Sequence, residues 1–167
     1  MQNYIEINKC RCCKSDSLIK ILDLGKQPLA NSYHKNEELE DYPLCLNLCT
    51  ECFHLQLSVA VNPESMFKNY LYVTGTSKTL NEYCKDFVSM ASKYTKGTIL
   101  DIACNDGTQL DKFLDDGWDT FGVDPAENLY ELSSKKHKVI CDFWSKKLVE
   151  NTNLNNGKPF DLIVAQN

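Results

Sequence analysis

The sequence predicts an α/β chain in which a small β-rich module precedes a helical connector and an incomplete parallel sheet. Three observations carry that expectation. From Ile99 onward, short apolar runs alternate with amphipathic segments, the pattern of parallel strands joined by crossover helices. At the head of that alternation stands TILDIACNDG, residues 98–107, an apolar run that ends in an acid and then in small, turn-forming residues. Nearer the start, two C-x2-C pairs, Cys10 with Cys13 and Cys49 with Cys52, enclose segments of strand-like alternation. The expected boundaries are 1–62 for the module, 63–96 for the connector and 97–167 for the sheet.

Two C-x2-C knuckles are how four thiolates reach a tetrahedral zinc. Cys10, Cys13, Cys49 and Cys52 are therefore the candidate metal ligands. Cys12 is an alternative for either member of its pair, but only Cys10 with Cys13 gives the usual spacing. His34 and His54 are possible substitutes, although such residues are more often ordinary surface or packing histidines. Four cysteines leave no open position for water, so this zinc is read as structural. Between the knuckles, Ile19, Ile21 and Leu22, then Leu44, Leu46 and Leu48, then Leu55, Leu57 and Val59 mark strand-like pieces. Gly25 and Pro28 read as a turn, after which Asn31 and Ser32 offer polar groups in an extended loop.

Pro63 opens a helix-like segment over 64–72 that the Gly75-Thr76-Ser77 turn breaks. Ser77 is then a plausible N-cap for a helix over 80–94. Leu80, Tyr83, Phe87, Val88, Ala91 and Tyr94 recur at helical spacing and form one apolar stripe for packing on the sheet. Strands follow at 99–102, 121–123, 139–141 and 160–165, with helices at 108–114, 127–136 and 145–150 between them.

The run 98–107 predicts a buried strand, a tight loop and a helix start, where an open α/β sheet holds a nucleotide-like ligand. Asp124 ends the second strand, at the position from which an acid hydrogen-bonds a ribose diol. Ala103 and Asn105 stand where a dinucleotide loop has glycines, which brings less bare backbone up to a pyrophosphate, and no P-loop lysine follows. S-adenosylmethionine (SAM), with ribose and adenine but no phosphate, fits better. At the third strand end, Asp142 offers a carboxylate to an adenine amino group and Phe143 a ring to stack on the base.

Composition narrows the field. The chain has 167 residues, 43% of them hydrophobic, enough for a packed core. A formal charge of -5 without a basic cluster argues against a nucleic-acid surface. No apolar run approaches a membrane span and MQNYIEINK lacks a signal-peptide core, so the expected setting is cytoplasmic. Nine cysteines without an export signal point to metal binding rather than disulfides, with Cys45, Cys84, Cys104 and Cys141 read as buried apolar filler.

The order of Cys10-x-x-Cys13, LDLGKQPLAN, Cys49-x-x-Cys52 with Gln56-Leu57, YLYVTGTS at 70–77 and DIACNDG resembles SAM-dependent sugar C-methyltransferases. These carry an N-terminal zinc-binding module, a class I methyltransferase domain of Rossmann-like fold and a further C-terminal domain. The resemblance implies structural zinc on the four cysteines, a SAM pocket and a nucleotide-linked deoxysugar substrate. It places Asn105 and Asp106 beside the methionine part of SAM, Asp124 on the ribose and Asp142-Phe143 on the adenine. Asp101, Ala103, Gly107, Pro125 and Ala165 complete the expected cofactor surface, and Tyr70 or Tyr72 with the Gly75–Ser77 turn would line the active site. Ala103 stands where the family usually has glycine. The likeness covers less than half of a full-length member, and the expected histidine and Glu-His pair are absent. Carbon methylation beside a ketone needs a base for the α-proton, and Tyr70 and Tyr72 are the candidates left. The expectation is a chain inactive alone, with a nucleotide-sugar substrate if active and a second chain as the possible partner completing the sheet. The alternative is a non-catalytic binding module.

Overall fold

The computed structural model describes residues 3–30 and 40–166. Asn31, Ser32 and His34 lie outside the described residues. The chain folds as two compact units, Met1–Met66 and Phe67–Asn167.

In the first unit, β1 (Tyr4–Glu6) pairs antiparallel with β5 (Val59–Val61). A second antiparallel sheet runs in the order β2 (Leu18–Pro28), β3 (Asp41–Cys49), β4 (Leu55–Leu57). Its register sets Leu22, Leu46 and Leu57 in one cross-strand row and Ile19, Leu48 and Leu55 in the next. Such rows are the unit of sheet stabilisation. The turn expected at Gly25 is instead a bulge inside β2, where the register shifts between Asp23 and Lys26. Gly25 takes φ +71° there, a left-handed conformation open to glycine at little cost. Asp23 holds the bulge: its Oδ1 accepts from the Gly25 N–H at 2.9 Å and from the Cys45 thiol at 3.1 Å. Cys45 is thus a half-buried hydrogen-bond donor rather than apolar filler.

Helix α1 (Pro63–Phe67) is shorter than the expected 64–72. Periodicity alone extended it, but the Tyr70 backbone groups bond to a side chain elsewhere, as described below. Helix α2 (Lys78–Ala91) begins where expected, the Ser77 Oγ accepting from the Leu80 N–H at 3.3 Å. Its buried stripe is Cys84, Val88 and Ala91, with Phe87 packed alongside. Tyr83 and Tyr94, expected in that stripe, are 48% and 87% exposed, and Tyr94 lies past the helix end.

The second unit is built on a four-stranded parallel sheet: β6 (Thr98–Ile102), β7 (Asp119–Val123), β8 (Lys138–Ile140) and β9 (Leu162–Ala165). The spatial order is β8-β7-β6-β9. Helices α3 (Thr108–Asp115), α4 (Glu127–Ser133) and α5 (Lys146–Asn151) intervene. Strand side chains alternate between faces, so Ile99 and Leu100 enter different cores. Ile99 joins Val88, Ala91, Leu110, Phe113, Trp118 and Val164, whereas Leu100 joins Phe121, Val123 and Leu148. Phe113 and Trp118 meet edge to face at 5.2 Å, as do Phe121 and Phe160. Cys104 is buried within the Ile99 cluster, Cys84 is buried with its thiol 3.9 Å from Gln109 Oε1, and Cys141 is half-buried. Succession runs outward from β6 through β7 to β8 and then returns to β9 on the other side of β6. That reversal makes the carboxyl ends of β6 and β9 a topological switch point, where open α/β sheets bind ligands.

Candidate metal centre and cofactor site

The two C-x2-C segments fold alike. Lys14 and Phe53, each four residues after the first cysteine of its pair, both take left-handed φ, 68° and 60°. Lys14 N–H donates to the Cys10 carbonyl and Phe53 N–H to the Cys49 carbonyl, each at 2.9 Å. Cys10 N–H in turn donates to the Ser15 carbonyl at 2.8 Å, and Cys49 N–H to the His54 carbonyl at 3.0 Å. The repeated turn aims all four thiols at one point. Gln56, buried in β4, ties the first knuckle down: its Oε1 accepts from Arg11 N–H at 2.8 Å and its Nε2 donates to the Lys9 carbonyl at 3.1 Å.

The four Sγ atoms of Cys10, Cys13, Cys49 and Cys52 all lie within 4.8 Å of one another. Cys10 and Cys52 are 3.6 Å apart at sulfur, as are Cys13 and Cys49. A tetrahedron with zinc–sulfur bonds of ~2.3 Å has sulfur–sulfur edges of about 3.8 Å, so the donor set fits zinc in type, number and spacing. These separations are far longer than a disulfide of about 2.05 Å. The Cys13 backbone N–H draws the Cys10 thiol down to about 6. At Cys52 the His54 backbone N–H also pulls downward, but the Cys13 thiol, burial and the thiols of Cys10 and Cys49 together carry it up to about 12. Like charges so close cannot all ionise together; a divalent cation at their centre removes that repulsion. Cys12 and His54 are exposed and take no part in the cluster. The same unit has an apolar hollow of about 630 Å³, bordered by Tyr42, Leu44, Leu57 and Met66 among others, that none of the four clustered cysteines lines.

In the second unit, the loop after β6 alternates its backbone hand: Ala103, Asn105 and Gly107 take φ of 65°, 52° and 85°. Ala103 N–H and Cys104 N–H both donate to the Val123 carbonyl, at 2.8 and 3.3 Å, which ties the loop to the end of β7. Asp124 joins the two strand ends. Its Oδ2 accepts from Asn105 N–H and its Oδ1 from Ala126 N–H, both at 2.8 Å. Gly107 leaves little room for a side chain, since a Cβ there would lie 3.0 Å from the His137 ring. His137 is buried, with Nδ1 2.8 Å from Thr120 Oγ1 and Nε2 3.4 Å from Asp111 Oδ1.

Asp101 differs from its neighbours. It is 4% exposed in β6, and no hydrogen bond to its carboxylate is found among the described residues. Burial first, then the charge of Asp124, pushes its pKa from 3.8 up to about 7. Two acids at the carboxyl end of the central strands make a place that favours positive charge.

Asn105 and Asp106 turn their side chains to a strap, residues 68–77. Asn105 Oδ1 accepts from Thr74 N–H at 3.0 Å and Thr74 Oγ1 at 3.2 Å, and its Nδ2 donates to the Tyr72 carbonyl at 3.0 Å. Asp106 Oδ2 accepts from Gly75 N–H and Thr108 Oγ1, both at 2.9 Å, and Oδ1 from Thr108 N–H at 3.1 Å. Tyr70 is half-buried and Tyr72 is 41% exposed on this strap. Pro125 is half-buried directly after Asp124. Ala165 ends β9 opposite Ile102. Asp142 is exposed after β8, its Oδ1 accepting from the Phe143 N–H at 2.7 Å, with Phe143 half-buried. Because the strands are parallel, all these positions fall at one end of the sheet. Sequence reasoning missed Lys14, Phe53 and the ties from Asn105 and Asp106 to the strap; only the equal +4 spacing of Lys14 and Phe53 was there to be read.

A four-thiolate knuckle pair followed by an open parallel sheet defines the class: a zinc-knuckle module joined in one chain to a Rossmann-like α/β unit. Residues 10–67 match the family described as "Putative zinc binding domain". The chain is 27% identical over 145 residues to C-methyltransferase NovU of Streptomyces niveus, an alignment covering 81% of this chain and 34% of that protein. It thus spans about a third of the curated relative it matches. Among solved structures, it is similar to the plantazolicin methyltransferase BpumL in complex with SAH, with 24% identity, a TM-score of 0.37 and coverage of 51% of this chain and 33% of that one. A SAM-dependent methyltransferase from Agrobacterium tumefaciens gives 14%, 0.40, and coverage of 72% and 36%. Over most of its length the chain is thus similar to a C-methyltransferase, and its first unit matches a zinc-binding family.

Proposed function

We propose that the second unit binds SAM at the carboxyl ends of β6 and β7, and that the chain serves carbon methylation of a nucleotide-linked deoxysugar. The observation that carries the SAM reading is Asp101, a buried carboxylate without a hydrogen-bond partner among the described residues, beside Asp124. Such a pair repels a pyrophosphate and attracts a ligand with an ammonium and a sulfonium. Asp124 would meet the ribose, Asp142 and Phe143 the adenine, and Ala103, Asn105, Asp106, Gly107, Pro125 and Ala165 the rest of the cofactor. SAM would supply the electrophilic methyl group; the chain's own residues hold and orient it and exclude water. Tyr70 and Tyr72, on the strap tied to the cofactor loop, would face the substrate. Zinc on the four cysteines shapes the first unit and enters no chemical step.

Strand β9 lies at the sheet edge among the described residues, and a second chain pairing there would extend the sheet. The resemblance supports the sugar substrate, and a reducing cytoplasm suits nine free cysteines. Calorimetric titration of the full chain with SAM, S-adenosylhomocysteine (SAH) and NAD⁺ tests the reading. SAM and SAH should bind, NAD⁺ should not, and Asp124→Ala should weaken SAM at least tenfold. No heat with SAM or SAH would remove the cofactor site from the proposal.

A further inference from the structure

Helix α4 begins immediately after Asp124-Pro125-Ala126, and its second residue is Asn128, an exposed asparagine. Asparagine is a weak helix former, and nothing in the local sequence singles this one out. Its carboxamide meets the Tyr70 backbone on both sides: Oδ1 accepts from Tyr70 N–H and Nδ2 donates to the Tyr70 carbonyl, each at 2.9 Å. One side chain thereby provides both bonds that a neighbouring strand would exchange with that residue. Next to it, Glu127 N–H donates to the Lys68 carbonyl at 2.9 Å. The strap is therefore fastened at two places, by Asn128 and Glu127 at the start of α4 and by Asn105 and Asp106 on the β6–α3 loop.

We propose that Asn128 is a positioning residue, whose paired hydrogen bonds set Tyr70 in register across the two loops that hold the cofactor. The inference rests on the SAM reading above. The bonds are to backbone, so they fix where the phenol is carried without depending on the phenol. Replacing Asn128 by alanine removes both. Asn128→Asp keeps the acceptor for Tyr70 N–H and loses the donor to its carbonyl.

The test follows amide hydrogen exchange at Tyr70 and SAH affinity in the full chain, with tryptophan-monitored unfolding as the check that each variant folds. Asn128→Ala should speed Tyr70 exchange about tenfold and weaken SAH about tenfold, and Asn128→Asp should fall between it and the wild type in exchange. Unchanged Tyr70 exchange in Asn128→Ala overturns the proposal. Faster exchange with unaltered SAH affinity overturns it too, since the contact is then merely structural. Absence of SAH binding by the wild type is a different failure, visible before any variant is compared: it removes the cofactor reading, and the positioning role falls with it.

Discussion

Replacing Asp101 by asparagine should stabilise the second unit above pH ~7, by an amount that shrinks as pH falls. Burial and Asp124 push the Asp101 carboxyl from 3.8 up to about 7. The folded state therefore holds this proton more tightly than the unfolded chain does. The stability linked to it is full below pH ~4, falls as pH climbs towards 7 and is flat above. At ~1.4 kcal/mol per pH unit, keeping the carboxylate buried and ionised costs about 4 kcal/mol above pH 7. Asparagine removes that cost but leaves an amide with unmet hydrogen bonds, a penalty of about 1–3 kcal/mol. The penalty does not vary with pH, so the difference between pH 5 and pH 8 isolates the charge: the wild type should lose about 3 kcal/mol relative to Asp101→Asn over that interval. Urea unfolding followed by tryptophan fluorescence measures it. The chain's two tryptophans, Trp118 and Trp144, both belong to the Phe67–Asn167 unit, so the first unit stays silent. Stability curves that run parallel from pH 5 to pH 8 would refute the reasoning.

Other outcomes follow from the same structure. Cys49→Ser should lower bound zinc from about one per chain to near zero by elemental analysis, and Cys12→Ser should leave it unchanged. Gly122→Ala should destabilise the second unit by about 2 kcal/mol in urea melts, because a Cβ there would stand 2.6 Å from Cys104 Sγ and 3.0 Å from Leu110. Ala103→Gly should raise stability by about 0.5–1 kcal/mol, since Ala103 sits at φ 65° and glycine adopts that conformation without the Cβ clash.

The parts legible in the sequence were those whose cause is local. Cys-x2-Cys spacing, strand–helix alternation and the acid at the end of an apolar run are set within a few residues. They located Cys10, Cys13, Cys49, Cys52 and the strands around Asp101 and Asp124. Gly25 misled because a turn and a bulge both call for a left-handed residue, and only pairing with β3 tells them apart. Helix α1 was overextended because Tyr70 and Leu71 keep helical spacing, whereas the backbone of Tyr70 is claimed by Asn128, 58 residues away. Periodicity likewise put Tyr83 in the apolar stripe of α2, whose buried side is centred on Cys84 and Val88. The use of Asn105 and Asp106 on the strap was invisible for the same reason: their partners lie 31 residues back.

The imidazole beneath Gly107 adds an opposing acid-side limit. Burial lowers the pKa of His137, outweighing the pull of nearby Asp111, so the folded unit favours the neutral ring and loses stability as pH drops below about 6.5. Asp101 penalises the same unit as pH rises. His137 and Asp101 thus titrate in contrary senses, so in mildly acidic solution the loss from one offsets the gain from the other, and the carboxyl end of the sheet changes stability less with pH than either group alone would make it.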